Sequence, residues 1–242
     1  MRNIKLIPGL PFVVPEIIDI TDDLPRNARW EDIPKQYIHK GKDMGYRHTG
    51  FRDPADIDTI VIHHSGSPEG SLESHARYHA SKWGAGISYH MAIDKGRIYQ
   101  TNDLRSFTFH VGSHNTYTVG IIVNRDLSKS DLTSVERELL YAAILTVKKH
   151  LPIRHIKGHN ELNATSCPCT SMHQIRQDIQ NLEMQIEYMK SIEYANAKAY
   201  EIANQTLYLY NLLERGNEGQ QKWARAQLLK LYPFMKEQGL IK

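Results

Sequence analysis

The sequence predicts a mixed α/β fold: one central β-sheet flanked by helices, followed by an all-helical C-terminal appendage. Three observations predict it. Short β-branched or apolar runs, such as Asp58–His63 (DTIVIH) and Val119–Val123 (VGIIV), read as buried strands. These runs alternate with two helical patterns, the order expected of strands and helices sharing one sheet. Beyond Ser171 the strand signals stop and only helical periodicity remains.

In chain order, residues 1–55 are rich in Pro, Gly and charge and lack sustained periodicity. They read as an extended arm, with a short strand near Phe12–Val14 and a basic stretch over Arg26–Arg52. Ser71–Trp83 reads as a helix with Ser71 as its N-cap. Ile87–Asp94 and Arg97–Thr101 flank Lys95-Gly96, a two-residue turn, and so predict a β-hairpin. Phe107–Tyr117 is a polar loop containing histidines. Thr133 and Glu136 form a capping box, and Leu139, Leu140, Ala143, Ile144 and Val147 give the helix that follows its apolar stripe. Pro152 ends this helix, and Ile153–Gly158 is a short strand leading into His159. The domain therefore spans residues 56–178, and residues 179–242 form a helical appendage. Ile175, Ile179, Leu182, Ile186 and Met189 recur every three or four residues, a coiled-coil-like seam. A further helix runs to Leu213, with breaks at Gly216 and Gly219 and a last helix over Gln220–Leu231 ahead of Pro233.

Bulk properties exclude several classes. With 40% hydrophobic and 24% charged residues, the 242-residue chain has an ordinary globular composition. A net charge of +3 suits an anionic polymer, but Lys and Arg are scattered, so no nucleic-acid partner is expected. No apolar run approaches the roughly 20 residues of a membrane span. The N-terminal stretch is broken by prolines and acids and does not read as a signal peptide. The two cysteines, Cys167 and Cys169, flank a single proline, an arrangement too tight for a ready disulfide. A chain without a disulfide framework fits a reducing compartment.

The chemistry-bearing residues gather at sheet ends and in one loop. The first strand ends in His63-His64. The stretch Lys157–Pro168 (KGHNELNATSCP) places His159 and Cys167 across a polar loop. Two imidazoles and a thiolate with one coordination position left for water is the donor pattern of a catalytic zinc site.

IVIHHS, ISYHMAID followed by GRIYQ, HVGSHN leading into VGI, and GHNELNATSCP occur in that order. Over residues 57–178 the chain resembles the zinc-dependent N-acetylmuramoyl-L-alanine amidases, which share their fold with the peptidoglycan-recognition proteins and include many phage lysis enzymes. The resemblance implies an amidase/PGRP-like sheet holding Zn2+ on His63, His159 and Cys167. It implies catalytic roles for Tyr89 and Thr165. His110 and Asn115 are then expected to contact substrate. The expected activity is cleavage of the amide between the lactyl group of N-acetylmuramic acid and L-alanine in peptidoglycan, by a protein that stays in the cytoplasm until release.

Two positions depart from the family pattern. Thr165 stands where some amidases carry Lys, and Ile122 where some carry Glu. Glu161, near His159, reads as a substitute proton acceptor, as a neighbour that orients a ligand, or as a surface residue. A recognition module without catalysis is the competing reading, and the resemblance implies that inactive members lack the cysteine that Cys167 supplies here. An amidase that also regulates a polymerase is a further alternative on which the sequence is silent. For the helical tail, self-association into a homo-oligomer, wall binding and a plain structural extension all stay open.

Overall fold

The computed structural model describes residues 1–25, 38–39, 42–43, 52–67, 70–83, 86–193 and 197–237. The basic stretch expected over Arg26–Arg52 lies largely outside them. The chain divides into two compact units, residues 1–7 with 14–176, and residues 8–13 with 177–242.

The strands in chain order are β1 (Ile18–Asp19), β2 (Ile38–His39), β3 (Lys42–Asp43), β4 (Thr59–His64), β5 (Met91–Asp94), β6 (Arg97–Gln100), β7 (Thr118–Val123) and β8 (His155–Gly158). The first unit is built on a six-stranded sheet of order β1-β6-β5-β7-β4-β8. Only the β5–β6 hairpin is antiparallel; every other neighbouring pair is parallel. β2 and β3 pair separately as a two-stranded antiparallel ribbon. Strands buried on both faces read as continuous apolar runs, and both central strands do: every residue of β7, and all of β4 up to His63, is buried.

The hairpin turn forms as its residues dictate. Lys95 and Gly96 both take positive φ, 47° and 73°, the backbone that a right-twisted two-residue hairpin requires. Helix α1 (Leu72–Trp83) begins where Ser71 Oγ accepts from the Ser74 N–H at 3.0 Å. Helix α2 (Ser134–His150) is opened by the expected capping box between Thr133 and Glu136. A core cluster of Leu72, Ala76, Ile87, Ala92 and Ile122 packs α1 against the sheet, with Tyr89 at its margin. Ile122 sits there because the position belongs to the apolar core, which would charge heavily for a carboxylate.

Three expectations are corrected. Phe12–Val14 form no strand; β1 instead adds to the sheet edge, Ile18 opposite Tyr99 and Asp19 opposite Gln100. The first hairpin strand starts at Met91 rather than Ile87. Helix α5 spans Glu218–Glu237 and runs through Pro233. Gly219 falls in its first turn, where backbone N–H groups lack intrahelical partners anyway. Asn217 caps it, its Oδ1 accepting from Gln220 N and its N–H donating to Gln220 Oε1.

In the second unit α5 pairs with α4 (Ala197–Arg215). Leu209, Ala224 and Met235 are buried there, while Tyr208, Tyr210, Trp223 and Tyr232 are exposed. Along α3 (Met172–Glu193) the seam residues Ile175, Ile179, Ile186 and Met189 are buried within the single chain.

Candidate metal centre

Strand register builds the site. β4 lies between β7 and β8, and Ile62 is paired with Gly158. His63 and His159, each the next residue along two parallel strands, therefore emerge at the same sheet end. Gly158 has no room for a side chain: a Cβ there would lie 2.6 Å from Asn160 Oδ1, 2.8 Å from Met172 Cγ and 2.9 Å from Pro168 Cδ. The chain thus turns sharply into a short 3₁₀ segment, His159–Glu161. Glu161 holds that turn, accepting from the Gly158 N–H at 2.7 Å and pairing with Arg176 at 3.0 Å. Its carboxylate is committed to structure.

The loop after this turn returns Cys167 to His63. The Asn160 N–H donates to the Cys167 carbonyl at 2.7 Å. One donor atom each from His63, His159 and Cys167 lie within 4.8 Å of one another, with 3.8 Å between Cys167 Sγ and His63 Nδ1. Among the described residues no other group of three His, Cys, Asp or Glu meets that spacing. Tetrahedral coordination with metal–nitrogen and metal–sulfur bonds near 2.1 and 2.3 Å puts donors about 3.5 Å apart, so a movement of about 1 Å separates this arrangement from three-point coordination of an ion.

The electrostatics suit a cation. Burial, reinforced by His159 and His64, drives the His63 imidazole well below its ordinary pKa and keeps it neutral. Burial also lowers His159. Neutral imidazoles offer lone pairs. Burial pushes the Cys167 thiol up to about 11, outweighing the N–H of His64 that approaches its sulfur at 3.5 Å. A thiol held so high gives up its proton only to a strong local positive charge.

Tyr89 packs beside His63, ring centroids 5.1 Å apart. Burial first, and the Cys167 sulfur second, raise its phenol well above the ordinary value, so it keeps its proton as a donor. Thr165 is exposed on the ligand loop, and its Oγ1 accepts from the Cys167 N–H at 3.2 Å. His64 faces away: its Nδ1 accepts from the Leu127 N–H at 3.1 Å, as strand alternation requires.

His110 and Asn115, expected at the substrate, are instead buried. Asn115 Oδ1 accepts from the backbone N–H groups of His110 and Val111 at 3.1 and 2.8 Å. His110 Nδ1 lies 3.0 Å from His63 Nε2. Asn115 is held there because the loop's own N–H groups need its side chain as a partner, and His110 because its ring bridges His63 and Thr118. Sequence reasoning missed three supports. The Asn163 amide lies 3.2 Å from His159 Nε2. Buried Arg52 donates to the carbonyls of Leu104, Asn115 and Thr118. Gly120 leaves space for the His110 ring, which a Cβ would meet at 2.8 Å. A glycine inside a central strand was the available signal, since it marks a close approach.

Residues 53–170 match the family Amidase_2, N-acetylmuramoyl-L-alanine amidase. This domain belongs to that family. No curated protein matches the chain by sequence. Among solved structures, the endolysin amidase LysCS of Clostridium intestinale is 19% identical with a TM-score of 0.54, over 69% of this chain and 97% of that one. The amidase LysC of the same organism gives the same identity and TM-score, over 69% of this chain and 99% of its own. Drosophila peptidoglycan recognition protein SD is 14% identical at a TM-score of 0.49, over 64% of this chain and 89% of its own. The two Clostridium structures establish that the amidase domain shares their fold.

Proposed function

We propose that the chain is a zinc-dependent peptidoglycan hydrolase that cleaves the amide between the lactyl group of N-acetylmuramic acid and L-alanine, as a lysis enzyme acting on the cell wall. The convergence of His63, His159 and Cys167 beside Tyr89 carries this reading. The two nitrogens and one sulfur fit zinc, and three protein ligands leave a coordination position open.

Bound there, zinc supplies a Lewis acid that lowers the pKa of a water molecule toward ~7 and polarises the scissile carbonyl. The chain's own residues do the rest. His63 and His159 hold neutral lone pairs ready, so only Cys167 must lose a proton. Tyr89, kept protonated by burial, donates to the oxygen on which negative charge builds. Thr165 fixes the turn around Cys167 and keeps a hydroxyl hydrogen for the same oxygen. Ile122 and Glu161 offer no general base, the first being apolar and the second held by Arg176. Proton transfer to the leaving amine then falls to the attacking water's own proton.

The presence of Cys167 and Tyr89 favours catalysis over recognition alone. The test incubates the zinc-loaded full chain with purified peptidoglycan. New amino termini on L-alanine without new reducing sugars are expected. Reducing sugars alone, or no release while zinc stays bound, would refute the amidase reading.

A further inference from the structure

Each ring nitrogen of His63 has its own neighbour, and they differ in kind. Nδ1 faces Cys167 Sγ at 3.8 Å. Nε2 faces His110 Nδ1 at 3.0 Å. The far nitrogen of His110, Nε2, lies 3.1 Å from Thr118 Oγ1, and the Thr118 hydroxyl donates to the His114 carbonyl at 2.9 Å. We propose that His110 is a positioning residue, seated on Gly120 and anchored by Thr118, that fixes the tautomer and orientation of His63 for metal binding.

The direction of every hydrogen follows from the last acceptor. A backbone carbonyl can only accept, so the single hydrogen of the Thr118 hydroxyl points to His114. Thr118 Oγ1 must then accept from His110 Nε2–H. A neutral His110 with its proton on Nε2 leaves Nδ1 as an acceptor, and His63 can satisfy it only with Nε2–H. His63 Nδ1 is left bare, on the side of Cys167. Reversing the chain would leave the His114 carbonyl without the Thr118 hydrogen in a part-buried setting. Metal-bound histidines are commonly oriented through the other ring nitrogen by a carboxylate or carbonyl. Here a second imidazole takes that place and passes the constraint to the backbone.

The surrounding residues hold the relay still. The absent side chain of Gly120 lets the His110 ring lie against β7. Asn115 pins the His110 backbone. Arg52 donates to the carbonyls of Asn115 and Thr118, at 2.8 and 2.7 Å, on either side of the relay's last bond. His110, Asn115, Gly120 and Thr118 thus form one support for a single imidazole, which explains their burial beneath the donor set.

This inference rests on the zinc reading above, and its test separates the two. Ring-nitrogen chemical shifts of His63 are read in the zinc-free full chain, and zinc affinity is read by chelator competition. Wild-type protein should show His63 protonated on Nε2 alone. His110→Leu, which keeps bulk but removes the acceptor, should weaken zinc binding about 10- to 100-fold. His110→Asn, which restores an acceptor oxygen near the Nδ1 position, should recover most of that loss. Thr118→Val should leave His63 in a mixture of tautomers with several-fold weaker zinc binding, and it tests the relay even if the His110 variants fail to fold. A wild-type His63 protonated on Nδ1, or undiminished zinc affinity in folded His110→Leu, would overturn the relay. Wild-type protein that binds no zinc would overturn the metal reading alone, and the His63 tautomer would then decide the relay by itself.

Discussion

Acid should destabilise the sheet unit through His90, a histidine that takes no part in the metal centre. The ring is fully buried. Its Nδ1 accepts from the Gly120 N–H at 3.0 Å, and Nε2 lies 2.8 Å from the Ser106 carbonyl, so Nε2 carries the proton. A second proton must go onto Nδ1, against an N–H, with the Arg52 guanidinium 3.1 Å from the other nitrogen. Burial first and Arg52 second push the pKa down to about 3, more than the Ser106 carbonyl and Asp103 raise it. The unfolded chain, with histidine near 6.5, therefore binds the extra proton first. Stability from this group is complete above pH 6.5 and is lost as pH falls toward 3, with a slope approaching ~1.4 kcal/mol per unit. Between pH 7.5 and 5 the loss from His90 alone is about 2 kcal/mol. His63 and His110, also depressed by burial, act in the same direction. Hydrogen exchange of β4 and β7 amides in the zinc-free protein, corrected for intrinsic rates, measures the opening energy of this unit. His90→Asn keeps an acceptor for Gly120 and should lower the pH slope by one proton. A slope unchanged in that variant, or stability flat from pH 7.5 to 5, would refute the reasoning.

Four further outcomes are expected. Tyr89→Phe should lower kcat about 10²- to 10³-fold by removing one oxyanion donor, with zinc content by metal analysis unchanged. Cys167→Ser should lose zinc and amidase activity while far-UV circular dichroism keeps the sheet signal. Gly158→Ala places a Cβ within 3 Å of Asn160, Met172 and Pro168; it should cost about 1–3 kcal/mol and weaken zinc binding, read by urea unfolding and chelator competition. Thr133→Ala removes the cap of α2 and should cost about 1 kcal/mol in urea unfolding, with zinc affinity unaltered.

What the sequence made legible is what local rules control. After Thr59 the run TIVIHH is apolar and β-branched until its two histidines, so it reads as a buried strand and places His63 at a terminus. Thr133 and Glu136 carry their capping box within four residues. The sharing of one sheet end by His63 and His159 follows once both lie on parallel strands. The remainder depends on distant partners. Ile18–Asp19 becomes a strand only because β6 offers an open edge, and two residues carry no period to detect. Pro233 lies in the final turns of α5, where the break expected of proline does not end the helix. His110 and Asn115 carry polarity that reads as solvent-facing in sequence. Their partners, His63, Thr118 and the loop's own N–H groups, become visible only when the loop folds under β7.

The departures from the family pattern and the relay bear on one another through charge. Thr165 brings no positive charge to the carbonyl oxygen, and Ile122 brings no base. On the proposed amidase reading, the chain's own contribution to stabilising negative charge is then the phenol of Tyr89 and a hydroxyl, both neutral. On the zinc reading, the net charge of the centre matters more in this protein than where a lysine assists. Two neutral imidazoles and one thiolate cancel only half of a divalent charge. A carboxylate behind His63 would cancel more of it, and a buried carboxylate with no cation of its own is costly. A neutral imidazole in that place orients His63 equally well and leaves the remaining charge for the reacting oxygen. Burial favours the neutral form of His110, and Arg52 adds to it. On that reading the polar loop and the missing lysine are two sides of one arrangement, in which the positive charge of a bound zinc would be concentrated at the donor set of His63, His159 and Cys167.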